Sequence, residues 1–353
     1  MGNENMNLEE TELDLMKLGW NDLLQQHYEA YRERGYMAGR VVKEHRHYYL
    51  IASENGERLG EVSGKLRFDA SGRTDFPAVG DWVLCKEDGE RAIIHAIFPR
   101  RSKFSRNVAG SVTDEQIVAA NIDTAFLVMA LNQDFNLRRL ERYLLLAWDS
   151  GANPVIVLSK ADLCDNAEEK LLEVQAIAPG VPIHRISAIE ASGLEALQPY
   201  LTEGKTAALI GSSGVGKSTL INALAGQELQ RVNEIRLEDG RGKHTTTHRE
   251  LIVLPHGGII IDTPGMRELQ LNAAEDSLNS AFEDVEALND QCRYRDCKHR
   301  SEPGCAVNAA VASGELDSRR YQNYLKMEKE LAYAARREQE KSKRNERYKK
   351  SRK

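Results

Sequence analysis

The stretch Ala207-Ala208-Leu209-Ile210-Gly211-Ser212-Ser213-Gly214-Val215-Gly216-Lys217-Ser218-Thr219-Leu220 decides the architecture of this chain. Its first four residues form a short apolar run of the kind that makes a buried strand, and Thr219–Leu224 reads as a helix opening. Between them stands Gly, four residues, then Gly-Lys-Ser. The glycines let a loop wrap an anion closely with its N–H groups turned inward. A helix N-terminus adds its dipole at the same point. Lys217 is then placed to reach β- and γ-phosphates and Ser218 to hold Mg²⁺, so Gly211–Thr219 is a candidate nucleotide-phosphate loop. Strand, loop and helix in this order predict an α/β domain with a largely parallel sheet and helices on both faces.

Two further segments say which nucleotide. Asp262-Thr263-Pro264-Gly265 follows the apolar run Gly258–Ile261 and has the Asp-x-x-Gly form, with Asp262 on Mg²⁺ through water and the Gly265 N–H on the γ-phosphate. Upstream of the phosphate loop, Pro154–Leu158 leads into Ser159-Lys160-Ala161-Asp162. A carboxylate here can accept from guanine N1–H and its exocyclic amine, which adenine does not offer. Asp162 therefore specifies guanine, while the stem of Lys160 covers the base face. Val181–Ile186 ends in Ser187-Ala188, the pattern of a loop that backs the base. Ser159 stands where Asn or Thr is usual, and its shorter hydroxyl is expected to weaken or lose the contact to the phosphate loop.

Base motif, Ser-Ala, phosphate loop, Thr segment, Asp-x-x-Gly is a circular permutation of the usual GTPase order. In this the chain resembles the circularly permuted GTPases, and most closely the ribosome small-subunit-dependent GTPase A (RsgA) family. The run Gly242-Lys243-His244-Thr245-Thr246-Thr247 ahead of Asp262-Thr263-Pro264-Gly265 strengthens the likeness, which covers most of the chain. It implies a multidomain fold: an N-terminal OB-fold β-barrel, a central circularly permuted α/β P-loop GTPase and a C-terminal helical zinc-binding domain. It also implies a late-stage assembly factor that binds the 30S subunit and 16S rRNA in its GTP state and leaves after hydrolysis.

Thr246 is the expected switch ligand to Mg²⁺. Met266 occupies the position at which many GTPases hold a water-positioning Gln, so intrinsic turnover should be slow. His244 is the first candidate to replace that Gln and His248 the second. A passive RNA-binding protein stabilised by nucleotide, or a GTPase acting on another structured RNA, remains an alternative on residues alone.

The other constellations flank this centre. Cys292, Cys297, His299 and Cys305, spaced Cys-x₄-Cys-x-His-x₅-Cys, supply the four soft or borderline ligands that a structural Zn²⁺ takes. Arg293, Arg295, Lys298 and Arg300 lie among them, placed to face RNA or offset thiolate charge. Between about Tyr36 and Arg106 five or so short alternating segments, separated by turns such as Glu54-Asn55-Gly56, predict the barrel. Arg46, His47, Tyr48, Lys65, Arg67 and Phe68 are its candidate RNA contacts, with burial in the barrel core the competing reading for the aromatics. Arg100, Arg101, Lys103 and Arg106 read as a basic linker, and Ala119–Leu131 as the first strand of the GTPase domain.

The expected segments are a helical extension over 1–35 with Leu15, Leu18, Leu23 and Leu24 on its apolar side, the barrel over 36–106, the GTPase over 107–272 and the zinc domain over 273–353. Because the Asp-x-x-Gly segment leads directly into the zinc domain, movement of Gly265–Leu269 on loss of the γ-phosphate is expected to reach it.

Bulk properties agree with a cytoplasmic multidomain enzyme, expected to be a monomer. The 353 residues are 41% hydrophobic and 29% charged. The longest apolar run, about Thr124–Leu131, falls far short of the ~20 residues of a membrane span. Met1–Glu12 is polar and acidic, unlike a signal peptide, and five cysteines with three clustered suggest a metal site under reducing conditions. The net charge of −6 hides an asymmetry: Ala335–Lys353 holds ten Lys/Arg against three acidic residues, whereas Met1–Gly35 holds three against eight. A basic tail on an acidic chain marks a nucleic-acid contact.

Overall fold

The barrel is built from β1 (Met37–Glu44), β2 (Tyr49–Ser53), β3 (Gly56–Val62), β4 (Trp82–Asp88) and β5 (Arg91–Ile97), with the short helix α2 (Gly64–Asp69) between β3 and β4. In this computed structural model the described residues are 14–45, 47–107, 115–228, 249–262, 275–300 and 302–351. Strand order is β1-β2-β3-β5-β4, and β4 returns to pair with β1 through Met37↔Cys85 and Arg40↔Trp82, so the sheet closes. Antiparallel neighbours apart from a parallel β3–β5 pair, with a helix after β3, make this five-stranded barrel OB-like. Alternation puts Val41, Ile51, Val83, Cys85, Ala92 and Ile94 inside.

The central sheet has the order β10 (Ile183–Arg185), β9 (Asn153–Ser159), β8 (Thr124–Ala130), β11 (Thr206–Ile210), β13 (Ile259–Asp262), β12 (Arg249–Val253). Every pair is parallel except β12–β13. Its four inner strands, β9, β8, β11 and β13, are buried on both sides, which is why they read as continuous apolar runs. Along β8, Ala125, Leu127 and Met129 face the core beneath α3 (Leu137–Ser150) and α4 (Ala167–Ile177), while Phe126, Val128 and Ala130 face that beneath α5 (Lys217–Ala225).

The region expected as one strand over Ala119–Leu131 is two. β7 (Glu115–Ala120) pairs with β6 (Lys103–Asn107) as a separate ribbon. Asn121, at φ 56, then turns the chain into β8. Alternation cannot reveal such a break, since both pieces are equally apolar. Nor is Arg100 part of a surface linker. It is ion-paired at 2.7 Å with the fully buried Asp81 and donates to the carbonyls of Thr74 and Phe76.

The segment before the barrel is a 3₁₀ turn, Leu15–Leu18, and α1 (Asp22–Arg32), capped by Asn21. Leu15, Leu18, Trp20 and Leu24 are buried, but Leu23 is 63% exposed, because the helix touches its neighbours along a narrower stripe than its leucines suggested. Trp20 stands edge-on to Trp82 and Phe98 at 4.8 and 5.8 Å. Gly19, at φ 87, leaves no room for a side chain: a Cβ there would lie 2.6 Å from the Gly204 carbonyl oxygen.

Beneath this joint lies Arg40, on β1 and 1% exposed. Its guanidinium donates to the carbonyls of Leu18, Gly80 and Asn121 and to Thr206 Oγ1. One side chain thus ties together the N-terminal segment, the barrel and the central sheet. Burial draws its pKa down to about 10, against the pull of Asp123 and Asp81, so it stays charged at neutral pH.

Two more joints matter for the site. β1 pairs with β12 through Lys43↔Glu250 and Glu44↔Arg249, reinforced by ion pairs of 3.2 Å (Lys43–Glu250) and 2.6 Å (Glu44–Arg249). On the far side, α6 (Glu275–Ala281), α7 (Glu283–Asn289), α8 (Ala306–Ser313) and α9 (Ser318–Ser351) pack around Phe282, Val285, Val307 and Tyr324 and continue the core under α3. Arg320 of α9 is ion-paired at 2.6 Å both with Glu141 of α3 and with Asp284 of α7. Burial pushes the Glu141 carboxyl above the usual range, and Arg320 with Asn323 opposes it.

Candidate functional site

Five parallel strands end on one edge of the central sheet, and four of them, β9, β10, β11 and β13, lead into the pieces of the nucleotide signature there. This is where ligands of open α/β sheets bind. β11 runs into Gly211, whose Cβ position would lie 2.5 Å from the Val128 carbonyl oxygen, so only glycine lets the loop pass so close to β8. Val215 is the loop's buried anchor, at 1% exposure. Lys217 Nζ donates to the carbonyls of Gly211 and Ser212 at 2.8 and 2.7 Å, so the loop holds its ammonium in place. Lys217, Ser218 and Thr219 open α5 directly after Gly216, which places their N–H groups at its positive end. Asp262 closes β13, the parallel neighbour of β11 through Ala208↔Ile261, so its carboxylate emerges on the same edge as Ser218. Two hard oxygen donors beside a phosphate loop fit Mg²⁺, which supplies charge neutralisation on β- and γ-phosphate oxygens.

The base motif is assembled next to it. Ser159 ends β9 and is buried, and its Oγ donates to the Val215 carbonyl at 2.6 Å. The contact expected to weaken with serine is therefore made, because β9 brings the residue close enough for a short hydroxyl to span the gap. Lys160, at φ 58, turns the chain outward, and Asp162 follows exposed in a 3₁₀ turn. The Ala161 N–H donates to the Ile186 carbonyl at 3.1 Å, joining this loop to Ser187-Ala188. Ser187 is buried and its Oγ accepts from the Glu190 N–H, fixing the turn behind the base position; Ala188 is half-buried against the same core. Thr246, His244, His248, Gly265 and Met266 lie outside the described residues.

The four zinc-ligand candidates also converge. Their ligand atoms all lie within 4.8 Å of one another. A tetrahedron with Zn–S near 2.3 Å sets its sulphurs ~3.8 Å apart, and Cys292 Sγ–Cys305 Sγ is 4.0 Å. His299 Nδ1 is 3.6 and 3.4 Å from the same two sulphurs. Burial alone would raise the Cys292 thiol, but the N–H groups of Val307 and Ala306 at the start of α8, together with hydrogen bonds from Cys297 and Cys305, leave the thiol below its ordinary value. The buried Tyr321 hydroxyl finds no partner among the described residues, and its ring stands edge-on to His299 at 6.5 Å. The donor set fits a structural Zn²⁺. Purified protein is expected to carry about one zinc per chain, and Cys305→Ser to lose it and lower the thermal midpoint by about 5–10 °C, since bound metal is folding free energy. Metal analysis with thermal unfolding checks this, and unchanged zinc in that variant would overturn the assignment.

Of the barrel residues named from sequence, Tyr48 is 38% and Phe68 89% exposed, so neither is core. Tyr48 stacks on His45 at 4.3 Å, and His47, Lys65 and Arg67 are exposed. Arg46 lies outside the described residues. Arg293, Arg295, Lys298 and Arg300 are exposed around the Cys/His cluster. α9 runs from its packed end at Arg320 toward the basic terminal stretch.

A model of the RsgA GTPase domain matches residues 97–272. The Small ribosomal subunit biogenesis GTPase RsgA 2 of Lactiplantibacillus plantarum is 49% identical over 91% of this chain and 90% of its own. This chain belongs to the RsgA GTPase family. Its RsgA relative from Opitutus terrae is 44% identical, over 92% of each chain. Among solved structures, YjeQ from Thermotoga maritima superposes with a TM-score of 0.62 at 30% identity, covering 84% of this chain and 99% of its own. YloQ, described as a circularly permuted GTPase, gives 0.59 at 25% identity over 84% and 95%. As an RsgA-family GTPase the protein is a hydrolase acting on GTP, and its fold is the permuted one that the motif order predicts.

Sequence reasoning missed three arginines. Arg100 read as a linker charge, and Arg40 and Arg139, the latter described below, carried no motif. Only the chain partners of Arg40 and Arg100 distinguish them from solvated arginines, and these lie up to 166 residues away in sequence.

Proposed function

We propose that this protein acts in maturation of the small ribosomal subunit, binding the 30S particle and its 16S rRNA in the GTP state and leaving after hydrolysis. The observation that carries the reading is the match to relatives named as small-subunit biogenesis GTPases over nine-tenths of the chain, well beyond the GTPase domain. The geometry supports it on both flanks: exposed Tyr48, Phe68, Lys65 and Arg67 on the barrel, and exposed Arg295 and Lys298 at the Cys/His cluster. Such surfaces suit stacking on unpaired bases and contact with phosphates. The units are the four segments 1–35, 36–106, 107–272 and 273–353. We assign zinc to the last, and take the protein to work as a cytoplasmic monomer. No helix among the described residues is long and apolar enough to cross a membrane.

In the reaction, GTP and water give GDP and phosphate. Asp162 and Lys160 hold the base, the loop amides and Lys217 hold the phosphates, and Ser218, Asp262 and Thr246 hold Mg²⁺. Charge that develops on the phosphoryl oxygens meets donors already in place. With Met266 after Gly265, positioning of the attacking water falls to His244, and turnover without a partner is slow.

Asp162→Asn removes an acceptor that takes two charge-assisted hydrogen bonds from guanine, so GTP affinity should fall about 10²-fold. Xanthosine nucleotides, which carry a carbonyl where guanine has its amine, should gain in relative affinity. Equal loss for both would contradict the guanine-reading role.

The deciding experiment is steady-state GTP hydrolysis alone and with purified 30S subunits, with 50S subunits and transfer RNA as controls. Strong stimulation by 30S alone, absent in His244→Ala, supports the proposal. Equal stimulation by any RNA overturns it.

A further inference from the structure

We propose that Arg139 is a positioning residue of the phosphate loop, acting through Ser212 on Lys217. The proposal rests on reading Gly211–Thr219 as the phosphate site. Arg139 sits in the first turn of α3, where its N–H donates to Oδ1 of the capping Asn136 at 3.1 Å. Its guanidinium is ion-paired with Asp134 at 2.7 Å. Asp134 is fixed in turn, its own N–H donating to Asn132 Oδ1 at 3.0 Å in the loop that follows β8. From this mounting Arg139 Nη1 donates to Ser212 Oγ.

Ser212 is thereby held from two sides. Its hydroxyl accepts from Arg139, and its carbonyl accepts from Lys217 Nζ at 2.7 Å. The ammonium that meets the β- and γ-phosphates therefore rests on a residue whose place is set by α3. A loop held in its binding conformation spends less ordering entropy when the nucleotide arrives. Asp134 balances the charge of Arg139, so the contribution is geometric rather than one of net field.

Stability of α3 does not account for the residue. The first turn of a helix is the positive end of its dipole, where a cation is unfavourable and Asp or Glu is preferred. Arg138 and Arg139 both stand there. The contact to Ser212 supplies the reason for the second of them.

The test uses the full chain and two readouts, GDP affinity from a fluorescent GDP analogue and the thermal midpoint. Arg139→Gln and Ser212→Ala should each weaken GDP binding about tenfold, the size of one lost hydrogen bond from a charged donor. The double variant should be no weaker than the worse single, because both remove the same contact. Arg139→Lys, which keeps a cationic donor, should recover most of the loss, and all four variants should unfold within about 2 °C of the parent.

Parental GDP affinity in Arg139→Gln, or additive losses in the double variant, would overturn the proposal. So would a fall of several degrees in the midpoint with unchanged affinity, which would make Arg139 a prop for α3. Lys217→Ala is the control: if it binds GDP as the parent does, the phosphate-loop reading fails, and the proposal with it.

Discussion

Lys217→Ala is expected to lower kcat/KM for GTP about 10³-fold, equivalent to ~4 kcal/mol of transition-state stabilisation. In the proposed role the ammonium meets the charge that gathers on the β- and γ-phosphates, and the carbonyls of Gly211 and Ser212 hold it in place. Preorganised charge of this kind is worth more during reaction than in the ground state, so kcat should fall as well as affinity. Ser212 and Lys217 are half-buried, so the Ser212 carbonyl can turn to water and the folded chain should survive the change. Single-turnover hydrolysis with saturating enzyme separates the two effects. A variant that loses affinity alone would show that Lys217 binds substrate and transition state equally. Within the proposed function, this variant should also bind 30S subunits without turning over.

The second large effect lies far from the nucleotide. Arg40→Ala should destabilise the protein by ~4 kcal/mol, lowering its thermal midpoint by roughly 10 °C. Four acceptors lose their donor at once: the carbonyls of Leu18, Gly80 and Asn121, and Thr206 Oγ1. All are enclosed with a side chain that is 1% exposed, so water replaces it poorly. Arg40→Lys should recover only part of the loss, since one ammonium cannot copy the planar fork that serves four acceptors. Because Thr206 begins β11, which ends at the phosphate loop, nucleotide affinity should fall along with stability. Thermal unfolding with and without GDP reads both, and a change below ~1 kcal/mol would mean that the three segments are held together by other contacts.

What the sequence made legible was whatever is local. The phosphate loop, Asp262, the base motif and the Cys/His cluster each depend on residues within a few positions of one another, and their order alone disclosed the permutation. The barrel was legible because its strands alternate and its turns carry glycine. What stayed hidden was long-range pairing. The contact between Ser159 and Val215 spans 56 residues, and side-chain length alone suggested that it would be lost. Arg100 looked like a linker charge because nothing nearby in sequence names Asp81, which lies 19 positions back across the two strands of the β4–β5 hairpin. Leu23 was misread for a different reason: four leucines mark an apolar face, but only the neighbours decide how much of it is covered.

The short ladder between β1 and β12 has one more consequence. β12 is one of the two outer strands of the central sheet, and an uncovered outer strand offers its free N–H and C=O groups to any passing chain. Here Lys43 and Glu44 of the barrel occupy the start of that strand, and the paired charges of Glu44 with Arg249 and of Lys43 with Glu250 fix the register. The barrel thus serves as a guard for the sheet as well as a surface in its own right. A GTPase domain severed from it would present a bare strand and be prone to self-association, whatever its intrinsic stability.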